Sequence, residues 1–268
     1  DVGGLVATTH TAAAQEFMDG QLKLTRNGAT GKVENEGELR AALGGYIAML
    51  APEVRNSGVI VANLGTVAMA AGETFELKFD GNGALSRVIV TAAAIDTLVE
   101  NKGAVRAPGG FIVLSAQAAS RLQTGVINNS GTIEATSLVR RAGRILLEAS
   151  SSIINSGTIS AAFTTANSVL DSGNTATTAA DIGRIQINTD TFTQTSTGLL
   201  DVSAIAQQAG TIDIVAAQAM ALSGRVFANG IVTDPSQLVA NALGGTIQLQ
   251  ASRRVDLTTA VLDASGEG

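Results

Sequence analysis

Nearly the same nine residues recur along this chain: VRNSGVIVA at 54–62, VINNSGTIEA at 126–135 and IINSGTISA at 153–161. Aligned on a polar residue, usually Asn, two before a Gly, KVENEGELRA (32–41) and LVENKGAVRA (98–107) join the series. The aligned turn residues are Asn35 and Gly37, Asn56 and Gly58, Asn101 and Gly103, Asn129 and Gly131, Asn155 and Gly157. Successive Asn residues stand 21, 45, 28 and 26 positions apart. Weaker copies follow at 192–204, 220–230 and 255–266. Such short units cannot bury an apolar face alone; stacked, they bury a continuous core and pair backbone to backbone.

A second half-motif follows each turn after a variable gap. It reads GGYIAMLA (44–51), GTVAMAA (65–71), GGFIVLSA (109–116), GRILLEA (143–149), GRIQIN (183–188), GTIDIVAA (210–217) and GGTIQLQA (244–251). These segments alternate at period two, which is strand periodicity with one buried face. In 111–116, Phe111, Val113 and Ser115 share one face, and Ile112, Leu114 and Ala116 the other. The unit is strand, Asn/Gly turn, strand, loop, strand. Eight or nine such coils at a strand spacing of about 4.8 Å give a rod roughly 40 Å long. Gly is expected at the corners for positive φ or for tight approach. Asn is expected to tolerate left-handed backbone and to form side-chain amide ladders. Ile133 and Val113 are placed in the core, where an unpaired charge is very costly.

The 268 residues suit one large domain or two ordinary ones, and at 45% apolar they can bury a large core. Aromatics are only 3%, so that core is built from Ala, Val, Ile and Leu. Thirty Gly against three Pro favour tight turns between short strands. An acidic chain of net charge −6 with one Tyr argues against nucleic acid as a partner. No apolar run reaches the ~18 residues of a membrane helix.

Two insertions interrupt the repeat. ETFELKFDGNGALSRVIV (73–90) alternates, turns at DGNG and alternates back, so it predicts a β-hairpin packed outside the rod. Residues 161–181 read as a long surface loop. Helix propensity predicts short helical turns at 12–17, 92–99 and 116–123.

Candidate chemistry is sparse. His10 is the only His, and without partners it reads as a surface or packed residue. Glycoside chemistry needs two carboxylates about 5 to 10 Å apart. Glu134 with Glu148, or Asp201 with Asp213, are the pairs that neighbouring coils could bring together. DGNG at 80–83 starts like a calcium loop but lacks the spaced acids and the closing Glu. Arg140, Arg141 and Arg144 could form a small anion patch, as could Arg253 and Arg254, against the plainer account of solvated charge. No catalytic, cofactor-binding or metal-binding residue is assigned.

The run DVGGLVATT (1–9), GKVENEG, GGYIAMLAPEVRNSGVIVANLGTVAMAAGE, LVENKGAVRAPGGFIVLSAQAA and VINNSGTIEA resembles the filamentous haemagglutinin family, the large exoproteins of bacterial two-partner secretion. The resemblance implies an all-β fold, a right-handed parallel β-helix. Residues 1–160 resemble the later part of the secretion domain, and 161–268 continue as degenerate repeats of one solenoid. It further implies export through a dedicated outer-membrane transporter barrel. The product is expected outside the cell or on its outer surface, often as an adhesin with a host or bacterial receptor. The family's NPNG motif is absent and the last repeat stops short of a strand, so a segment of a longer solenoid is expected. Lack of Cys avoids premature disulfides in the oxidising periplasm. Unpaired strands at open solenoid ends suit end-to-end self-association. The alternatives are a β-helical polysaccharide-active enzyme, or a stalk carrying its activity elsewhere.

Overall fold

A computed structural model describes residues 2–12, 22–120, 122–137, 142–163, 182–205, 208–232 and 242–266. Among these residues there is no helix. The chain forms a parallel β-helix whose strands lie in three rows. The first row holds the segments before the Asn/Gly turns: Lys32–Asn35, Glu53–Asn56, Thr97–Asn101, Gly125–Asn129 and Ser152–Asn155, then 191–194, 219–221 and 254–256. The second row holds the segments after them, from 38–40 through Thr132–Glu134 to Val261–Asp263. The half-motifs make the third row, from Val2–Thr8 to Thr246–Ala251. Among the described residues each row has eight rungs, all parallel to their neighbours. At about 4.8 Å per step the seven steps span roughly 34 Å.

Rungs stack in register, so like residues sit over like. Ile47, Val67, Ile112, Ile145, Ile185 and Ile212 form one inward column of the third row. Ile60, Val105, Ile133 and Ile159 form one in the second. All are essentially inaccessible. β-branched side chains dominate these columns because their stiff χ1 suits a pleated, half-buried surface. Fully burying each such side chain contributes about 1.5–3 kcal/mol.

The hairpin forms as expected from Thr74–Phe79 and Leu85–Thr91, antiparallel and lying outside the solenoid. It is joined by two strands the sequence reading missed, Leu22–Thr25 and Thr11–Ala12, which make a four-stranded antiparallel sheet. The signal was present in the alternation of Leu22 and Leu24, but four residues are too few to stand out. Leu24, Phe75, Leu77 and Leu85 pack on the outward residues Ala48, Leu50, Ala68 and Ala70. The third-row strands 46–50 and 66–71 are therefore buried on both faces, not one. Small Ala side chains at the outward positions let the two layers approach.

Other expectations need correction. Val113 is buried, but on the outer face beside Ala68; Ile112, Leu114 and Ala116 of its strand are the residues in the central core. The helical turns at 92–99 and 116–123 are absent among the described residues. Ala93 and Ala118 instead make a parallel bridge, and Thr97 already begins a strand. Rung stacking overrides alanine's helix propensity there, since tertiary pairing outweighs local preference. Of 12–17, only Ala12 is described, in a strand, and the remainder lies outside the described residues. Of the expected loop 161–181, Ala161, Ala162 and Phe163 are buried, with Phe163 bridged to Ala204. Residues 164–181 lie outside the described residues.

Candidate functional site

The repeated motif converges on one corner. Asn35 donates through Nδ2 to Oδ1 of Asn56, Asn56 to Asn101, Asn101 to Asn129 and Asn129 to Asn155, each at 2.8 Å. The same amides reach carbonyls two residues on, at Gly37 (3.2 Å), Gly58 (3.3 Å) and Gly103 (3.4 Å). All five Asn are buried. The amides of Asn56, Asn101 and Asn129 both give and accept along the stack, so the middle of a polar column crosses an apolar core with its groups satisfied.

The turn glycines answer the question of φ. None of Gly37, Gly58, Gly103, Gly131 and Gly157 has positive φ, and neither do their Asn partners; the left-handed non-Gly residues among those described are Asn27 and Leu64. Close approach is the reason for Gly. A Cβ on Gly58 would sit 2.0 Å from the Gly37 carbonyl oxygen, on Gly103 2.0 Å from that of Gly58, and on Gly157 2.0 Å from that of Gly131. At Gly37 a Cβ would meet nothing within 4 Å.

The ladder ends at a mismatch. Asn155 pairs in register with Gln194, not with another Asn. The Gln side chain is one methylene longer, and its Nε2 turns to the Arg225 carbonyl at 3.1 Å. Asn155 Nδ2 and Gln194 Oε1 are left buried without a partner.

The carboxylate pairs do not converge. Glu134 lies in the second row, bonded to Arg106 at 2.9 Å, while Glu148 lies in the third. Asp201 lies in the second row, accepting from the Ser203 backbone at 2.9 Å, while Asp213 lies in the third. Different rows face different sides of the solenoid. Asp80 Oδ1 is occupied by the backbone N–H groups of Asn82 (2.9 Å) and Ala84 (3.0 Å), so DGNG is held as a hairpin turn. Arg254 is paired with Asp256 at 2.5 Å rather than free to bind an anion. Arg140 and Arg141 lie outside the described residues.

His10 is packed rather than exposed. Its ring lies 4.6 Å from that of Phe75 and its Nε2 is 3.1 Å from the Gly72 carbonyl, while Nδ1 is buried without a partner. Burial lowers its pKa from the ordinary value of 6.5, against the opposing hydrogen bond to Gly72. The residue therefore clips the end of the first strand to the docked sheet in its neutral form.

A three-row solenoid, an amide-laddered corner and a small antiparallel sheet docked on one face define the type of molecule. The family model of the TPS secretion domain matches residues 1–161, more than half of the chain, and the chain belongs to that family. No curated protein matches it. Among solved structures, the HMW1 secretion domain from Haemophilus influenzae is similar in fold, with a TM-score of 0.69 and 18% identity, covering 98% of this chain and 73% of that one. The protein is thus a two-partner-secreted exoprotein, exported across the outer membrane with the help of a partner transporter.

Proposed function

We propose that this chain is the secretion and shaft region of an adhesive exoprotein of the filamentous haemagglutinin type. Residues 1–160 are the unit the transporter recognises, and 161–268 continue the solenoid as a rigid shaft. The observation that supports this most is the match of the secretion-domain family over 1–161, in a chain whose rungs go on stacking beyond it. Coil-on-coil stacking lets such a chain fold as it emerges, each rung templated by the last, with no energy source outside the cell. The product works at the bacterial outer surface or in the medium, meets a host or bacterial receptor, and extends by end-to-end association. Its contribution is mechanical and adhesive rather than catalytic. The polysaccharide-enzyme reading loses its support because both candidate carboxylate pairs are split between rows.

The test is deletion of 1–160 in the parent gene of the source bacterium, with exoprotein followed in periplasm and medium. Loss of export with periplasmic accumulation is expected, and unchanged export overturns the secretion role. Adhesion of bacteria making the full exoprotein to epithelial cells, compared with bacteria lacking it, tests the adhesive part; equal adhesion overturns it.

A further inference from the structure

At one end of the third row, the corners before three successive rungs stack on one another. Gly44 N–H donates to the Asn63 carbonyl and Leu64 N–H to that of Pro108, both at 2.9 Å. The left-handed position of each corner is Gly44 (φ 76°), Leu64 (φ 54°) and Gly109 (φ 63°). Leu64 thus occupies a position its stacked neighbours fill with Gly, and it pays in backbone strain for keeping a side chain there. Beside it, Leu43 is 72% exposed. Strain plus an exposed Leu is not what folding alone selects.

Both leucines border a cleft of about 670 Å³ closed by the hairpin tip, Phe111 and Arg144. Arg144 stacks over Phe111 with its guanidinium carbon 5.0 Å from the ring centroid. Its register partner on the next rung is Arg184. Like charges in register destabilise a sheet. Elsewhere among the described solenoid rungs, charges that meet across rungs are opposite in sign, as Arg55 with Glu100 and Arg106 with Glu134, each at 2.9 Å, although the docked hairpin also sets Lys78 opposite Arg87. Neither Arg144 nor Arg184 has a carboxylate within ion-pair distance among the described residues. The one acid among the described residues lining the cleft, Asp80, is turned to the backbone of its own hairpin tip.

We infer that this cleft, with Arg184 on the rung just beyond its lining, is a docking site for an extended polypeptide segment that places apolar side chains on Leu43 and Leu64 and carboxylates on Arg144 and Arg184. Guanidinium groups suit carboxylates through paired N–H donors. A sugar is a poorer fit, because the Phe111 face is already covered by Arg144 and the leucines offer no hydrogen bonds. The inference stands independently of the adhesive reading.

The probe is a library of random twelve-residue peptides displayed on phage, panned against the intact chain. Enrichment of sequences combining apolar residues with Asp or Glu is expected. Binding of a synthesised winner should fall at least tenfold in Arg144→Gln/Arg184→Gln and in Leu43→Ser, all changes at exposed side chains. Leu64→Gly should weaken the same peptide while raising the melting temperature, a combination that a merely structural Leu would not give. Three results would each overturn the site: no acidic-apolar enrichment, winners insensitive to these substitutions, or heparin binding that depends on the arginines while Leu43→Ser changes nothing. Self-association in sedimentation that Leu43→Ser abolishes, without peptide binding, would assign the cleft to a second copy and overturn it too.

Discussion

At the scale of single residues, the corner motif is a backbone-packing device with a polar spine. The turn glycines are needed where a neighbouring carbonyl stands 2.0–2.1 Å from the missing Cβ. Gly103→Ala or Gly131→Ala should therefore cost about 3 kcal/mol, the upper end for overpacking. Gly37→Ala should be close to neutral, since nothing lies within 4 Å. Denaturant titration of the three variants checks this, and equal effects would remove the close-approach argument. The Asn ladder makes a second graded prediction. Asn101→Ala strips a donor from Asn129 Oδ1 and an acceptor from Asn56 Nδ2, at about 2–4 kcal/mol for two buried groups. Asn155→Ala removes an amide whose Nδ2 is already unpartnered and should cost only about 1 kcal/mol. Motif spacing reveals which residues share the corner. That Gly serves approach rather than positive φ is not legible, because both uses select the same amino acid.

At the scale of elements, the docked sheet is the feature that distinguishes one side of the solenoid. Phe75 is fully buried in that layer, so Phe75→Ala should cost about 3–5 kcal/mol. His10 adds a pH dependence to the same contact. Its folded pKa lies below the unfolded value, so between the two the unfolded chain binds more protons. The His10 contribution is present in full above about pH 6.5 and is lost as pH falls below it. Wild type should lose stability relative to His10→Gln on going from pH 7.5 to 5.5. Parallel titration curves for the two proteins would refute the assignment. The hairpin itself was legible, since alternation and a DGNG turn are local. Its partners Leu22–Thr25 and Thr11–Ala12 were not, because Leu22–Thr25 pairs with a strand some fifty residues away and Thr11–Ala12 then pairs with Leu22–Thr25.

At the scale of the whole molecule, stability is a sum over rungs and their neighbours. Central columns such as Ile60, Val105 and Ile133 are wholly inaccessible, whereas Val255, Val261 and Leu262 of the last rung are 37–53% exposed. Amide exchange should therefore be slowest over 97–134 and fastest over 246–263, read by mass spectrometry of digested fragments. Ile133→Asp should abolish cooperative folding by burying an unpaired charge between two rungs. Uniform exchange along the chain would argue against rung-by-rung stability.

The sequence by itself determined that the chain is a parallel stack of short strands. A repeated corner, period-two alternation and an Ala/Val/Ile/Leu composition leave few other ways to bury so much apolar side chain. It also determined which Asn and Gly residues share a corner. The tertiary structure alone decided which outward face is covered, and so why Ala48, Leu50, Ala68 and Ala70 are buried on a side that alternation would leave wet. It alone decided that Glu134 and Glu148 part company, and that Arg144 and Arg184 stand in register with no acid paired to them among the described residues. The physical reason is the same throughout: periodicity fixes which way a side chain points relative to its own strand, while register and loop length fix which other strand it meets.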